Sequence, residues 1–138
     1  MIDYGKFRLS LKRLEEQHEN YRQDNPVLSE LDREAIAESV IQRFETCCDS
    51  LWKVLKRYLA EELGVADVYN SPKPVIRQAH ENFLLVTPLE QWFGYLEARN
   101  STAHDYDGEK ALACLEHVPD FIDDAVGLYQ TMSGQPWE

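Results

Sequence analysis

Apolar residues recur along this chain at helical intervals, and the pattern breaks the sequence into five segments. Tyr4, Phe7, Leu11, Leu14, His18 and Tyr21 are spaced three and four apart, a heptad-like stripe that predicts a helix from Asp3 to Gln23 packed along a neighbour. Asp24-Asn25-Pro26 ends it. A second series runs through Leu31, Ile36, Val40, Phe44, Cys47, Leu51, Val54, Tyr58 and Leu63, widened by Ile41, Cys48, Trp52, Leu55 and Leu59. Ser29 is its candidate cap and Gly64 its candidate stop. A rod of about 33 residues, roughly 50 Å long, with so broad an apolar face needs helices on more than one side.

Val65 to Ser71 reads as a loop. Ser71-Pro72 then opens a short helix reaching Leu85, with Val75, Ile76, Ala79, Phe83 and Leu84 inward. Thr87-Pro88-Leu89-Glu90 predicts a capping box for a fourth helix, which carries Trp92, Phe93, Tyr95 and Leu96 and ends near Arg99. Asp107 and Gly108 begin a fifth, marked by Leu112, Leu115, Val118, Ile122, Val126 and Tyr129. Pro119 falls inside it and predicts a kink or short break at Glu116 to Pro119. Ser133 to Glu138 reads as a frayed tail. No segment reads as a strand. The expectation is an all-α, up-and-down antiparallel bundle of about five helices, forming one domain over residues 1–138.

Charge adds a constraint. The 138 residues carry a formal net charge of −11, unevenly spread: residues 1–57 are near balance, whereas 58–138 hold 4 Lys+Arg against 14 Asp+Glu. Such a surface repels a phosphate backbone over most of its area, so any nucleic-acid contact must be a local basic site. Three cysteines, Cys47, Cys48 and Cys114, are odd in number and do not form a disulfide framework, which fits a reducing cytoplasm. No leader and no apolar run of membrane-spanning length is seen, so no membrane association is expected.

Chemistry concentrates in Arg99-Asn100-Ser101-Thr102-Ala103-His104-Asp105-Tyr106. Arginine offers a permanent charge and a planar donor fork suited to phosphate. Histidine titrates closest to neutrality. An arginine closing one helix and a histidine opening the next connection also serve as a cap and a surface group, and spacing alone does not separate these readings. Rival sites fail. Cys114 and His117 lack a second ligand pair for zinc, and His80-Glu81 lacks the second histidine of a zinc-protease helix. Asp120, Asp123 and Asp124 read as a solvated face, and no glycine-rich phosphate loop is present. No metal and no cofactor is expected.

The Arg-x4-His-x-Tyr pattern of Arg99, His104 and Tyr106 resembles the signature of HEPN-domain proteins, in the form found in HepT toxins and nucleotidyltransferase substrate-binding proteins. Ile41 to Glu45 with Leu51 to Lys56 resembles that family's long second helix, Ser71 to Ala79 its short third, Trp92 and Arg99-Asn100 its fourth, and Pro119 its kinked last helix. The resemblance spans residues 3 to 130 and implies a homodimer that partners a small nucleotidyltransferase encoded nearby. In one branch the bundle is the substrate- or nucleotide-binding subunit of that enzyme. In the other it is a metal-independent ribonuclease, silenced by attachment of AMP to the motif tyrosine, here Tyr106. Under the ribonuclease reading Arg99 and His104 are catalytic. His104 would move the proton of the RNA 2′-OH or of the leaving oxygen, and Arg99 would hold the phosphate. Arg99, Asn100, Lys53, Lys73 and Arg77 are the candidate RNA- or nucleotide-binding residues, with Lys56 and Arg57 as further cations on the same stretch. A third reading makes the motif a structural buttress of a dimer without activity.

Overall fold

The second apolar series forms the spine. In a computed structural model describing residues 1–102 and 108–138, it is the helix α2, Glu30–Glu61, and it touches each of the other four helices: α1, Gly5–Arg22; α3, Pro72–Glu81; α4, Leu89–Ser101; and α5, Gly108–Ser133. α1 also packs on α5, α3 on α4, and α4 on α5. The result is the all-α bundle that periodicity predicts, and no strand occurs among the described residues.

Helix ends follow local chemistry. Ser29 caps α2 through a complete capping box, its side chain accepting from the Asp32 N–H while Asp32 accepts from the Ser29 N–H. At the far end Gly64 adopts φ 64° and lets the Val65 N–H turn back to the Leu59 carbonyl. α3 closes differently. It stops at Glu81, short of the predicted Leu85, in a Schellman motif: Leu84 N–H bonds Ala79 O and Phe83 N–H bonds His80 O. The left-handed position, φ 62°, belongs to Phe83, where glycine is usual. The turn throws Phe83 outward, 93% exposed, rather than into the core.

Four other expectations need correction. The box predicted at Thr87 does not form: Pro88 is the cap residue of α4 and makes no side-chain cap bond, because the Thr87 hydroxyl donates to Asp124 on α5. α5 runs unbroken through Pro119, so of the predicted kink or short break the break is absent. The apolar series overruns its neighbours, leaving Leu31 and Leu112 exposed. The tail is docked rather than frayed. Trp137 donates from Nε1 to Glu15 (3.2 Å), meets Tyr129 edge-on and lies under the Lys12 ammonium, while Arg8 reaches the Glu138 carbonyl.

The core holds Phe7, Leu11 and Leu14 from α1, Phe44, Leu51, Leu55 and Leu59 from α2, Val75 and Ile76 from α3, and Phe121 from α5. Phe121 packs edge-on against both Phe44 and Tyr95. Cys47, Cys48 and Cys114 are buried free thiols among them. Burial raises Cys47 to about 12 and Cys114 to about 11, and pushes Cys48 well up. They are packing residues, inert as nucleophiles.

Candidate functional site

α4 carries Arg99 and Asn100 in its last turn, where its C-terminal end runs beside the middle of α2. Two carboxylates one turn apart on α2 take hold of the guanidinium. Nε and Nη2 donate to the two oxygens of Asp49, at 3.2 and 3.1 Å, and Nη1 lies 3.7 Å from Glu45 Oε2. The Asp49 pair is a parallel fork-to-fork bond that fixes the guanidinium plane. Glu45 is buried, and Thr102 at the end of α4 donates to it (3.2 Å). Glu45 therefore ties both Arg99 and the helix terminus to α2. Hydrogen bonding to Asp49 raises the arginine's already high pKa, against desolvation, and the group stays charged.

Arg99, Asn100 and Asp49 line a cavity of about 560 Å³ between α2, α3 and α4. Trp52, Phe93, Leu96 and the Pro72 and Pro74 rings give it apolar walls, and Lys73 and Glu97 stand at its sides. The Lys73 ammonium lies 4.7 Å from the centroid of the Phe93 ring and the Arg77 guanidinium 5.6 Å. Four of the sequence-predicted residues thus gather here: Arg99, Asn100 and Lys73 as lining, and Arg77 against an aromatic wall. The chemistry on offer is two aromatic faces for a planar ring and cationic donors for an anion.

Lys53 is not part of that lining. It faces a second cavity, about 350 Å³, between α1 and α2, which shares Asp49 with the first. Lys56 is engaged with Asn70 on the α2–α3 loop (2.8 Å), and Arg57 with Glu61 on its own helix (2.8 Å). His104 and Tyr106 lie outside the described residues. Sequence reasoning missed the carboxylate brace. Its signal was present: Glu45 and Asp49 sit at i and i+4 inside the apolar band of α2, where a charge needs a partner. No group of three His, Cys, Asp or Glu able to hold a metal occurs among the described residues, and no helix there is long and apolar enough to cross a membrane.

Residues 2–134 match the family model described as "Nucleotidyltransferase substrate binding protein like". The chain belongs to this family. It is 30% identical over 92 residues to a Haemophilus influenzae protein named "Probable ribonuclease HepT", in a match covering 65% of this chain and 62% of that protein. The chain thus spans less than two thirds of that relative's length. A crystal structure of a Thermus thermophilus protein superposes with a TM-score of 0.70 at 31% identity, covering 89% of this chain and 98% of the other. The family's model takes in every residue of the Arg99 cavity, which runs from Cys48 to Asn100.

Proposed function

We propose that this chain is a single-domain, cytoplasmic, homodimeric subunit that binds a nucleotide or RNA end for a separate minimal nucleotidyltransferase. The observation that carries the reading is the Arg99 cavity. It combines aromatic walls, Trp52 and Phe93, with the Arg99 fork, Asn100 and Lys73, which is the donor set a nucleotide requires: faces for the base and cations for its phosphate. The family description supports the partner. The carboxylate brace favours binding over catalysis, because the free chain's guanidinium is already satisfied by Asp49. A phosphate must compete for it, and moderate, exchangeable affinity suits a subunit that presents a ligand to another enzyme.

The test is co-expression with a small nucleotidyltransferase encoded beside it. A stable complex is expected, with nucleotidyl transfer that falls at least tenfold with Arg99→Ala. Absence of both a complex and AMP binding by the chain alone overturns the reading.

The second reading, a metal-independent ribonuclease using Arg99 and His104 and silenced by AMP on Tyr106, is favoured by the name of the Haemophilus influenzae relative. It calls for RNA cleavage by the chain alone, lost in His104→Ala. It also calls for mass increments of AMP at Tyr106 after incubation with the partner and ATP. Intact RNA with the wild-type chain refutes it.

A further inference from the structure

We propose that the groove between α1 and α2 is a second anion site, in which Lys6 and Lys53 receive a further phosphate of the nucleotide held in the Arg99 cavity. The inference rests on the nucleotide reading of that cavity and adds the class of ligand: a nucleotide with at least two phosphate groups.

The two cavities adjoin across one side chain, since Asp49 lines both. The groove has an apolar floor, Phe7 and Val54, and charged walls. Its charges are not equally available. In the free chain Asp49 is paired with Arg99, the Asp3 carboxylate accepts from the Gly5 N–H (2.8 Å) and keeps its charge, and Arg57 is engaged by Glu61. Lys6 and Lys53 are exposed and have no hydrogen-bond or ion-pair partner among the described residues. The groove's lining carries three cations, Lys6, Lys53 and Arg57, against two carboxylates, Asp3 and Asp49, a local excess of positive charge on a chain whose net charge is −11. An arriving oxyanion is what that arrangement lacks. The hydroxyls of Thr46 and Ser50 donate to the Gln42 and Thr46 carbonyls, so the lysines are the donors that face the groove uncommitted.

Position fits a continuous ligand. Asp49 and Lys53 are one turn apart on α2, roughly 6 Å along the axis, and Trp52 between them faces the first cavity. With a base against Trp52, a first phosphate at Arg99 takes the donors that Asp49 holds in the free chain, and the next phosphate, one turn along α2, meets Lys53, whose ammonium offsets the released Asp49 carboxylate. Either a contiguous polyphosphate tail or the phosphodiester of a following nucleotide supplies that group.

Calorimetry on the full chain at fixed ionic strength, with AMP, ATP and a 5′-phosphorylated ApA dinucleotide, tests this. One or both of the longer ligands should bind about tenfold tighter than AMP, as expected for added charge-assisted hydrogen bonds. Lys53→Ala and Lys6→Ala should each remove most of that advantage and leave AMP affinity unchanged. Arg22→Ala, which deletes the same charge at the opposite end of α1, should leave it in place. A gain with ATP assigns the polyphosphate tail, and a gain with the dinucleotide assigns the second nucleotide. If AMP binds but neither longer ligand binds tighter, or if the lysine variants weaken AMP equally, the second site is refuted and the first stands. If AMP does not bind, both fall.

Discussion

Asp49→Asn should tighten nucleotide binding. In the free chain Asp49 occupies the two guanidinium donors that a phosphate would use, at 3.2 and 3.1 Å. The side chains are partly exposed, Arg99 at 27% and Asp49 at 42%, so the pair is screened and belongs near the upper end of the range for accessible ion pairs, about 1 kcal/mol. Asparagine keeps one carbonyl acceptor and loses the charge, so most of that competing energy is released. At 1.4 kcal/mol per factor of ten, AMP should bind about fivefold tighter. Glu45 remains to orient the guanidinium, which keeps the fork aimed into the cavity. The assay is calorimetric titration with AMP, with a thermal melt to show that the variant is folded. An unchanged or weaker affinity in a folded variant refutes the argument that Asp49 competes for Arg99.

Phe83→Gly should raise stability by about 0.5–1 kcal/mol, or roughly 2–4 °C in Tm, because an exposed phenylalanine holds a left-handed φ of 62°; a lower melting temperature contradicts this. All three thiols should resist a disulfide reagent in the native protein and react when it is unfolded, given their burial and raised pKa values; fast native labelling would show that the core opens. His18, buried on α1, has its pKa lowered by desolvation and then by Arg22, with Glu19 opposing, and Glu116 of α5 shares its cavity. The unfolded chain therefore binds the proton more readily, near pH 6.5, and His18 should subtract stability as pH falls through that value. The loss between pH 7 and 5.5 in urea melts should shrink in His18→Gln, and an identical pH profile excludes the assignment.

The sequence made the helices legible where periodicity and packing agree. The α2 stripe is unbroken because four helices cover it, and Ser29 and Gly64 bound it by local chemistry alone. Errors arose where a distant residue outcompeted a local one. Thr87 has the letters of a cap, but a carboxylate on α5 takes its hydroxyl. Leu31 and Leu112 keep the stripe's period past the point where a neighbour stands over them, and periodicity carries no information about where a partner ends. Trp137 looked like tail because its partners, Glu15 and Tyr129, lie far from it in sequence. At the candidate site, Arg99, Asn100, Lys73 and Arg77, singled out by residue type and by resemblance, gather around one cavity. That Lys53 faces the other side of Asp49 depends on rotation about the α2 axis, which one side chain's identity does not encode.

α4 is a strut fastened at both ends to other helices. At its entry Thr87, Gln91 and Tyr95 converge on Asp124 of α5; at its exit Arg99 and Thr102 converge on Asp49 and Glu45 of α2. A 13-residue helix would ordinarily fray from its tips, which shed protection first. Here neither tip can loosen without breaking a bond to a neighbour, so its amides should exchange with deuterium together, in one cooperative opening.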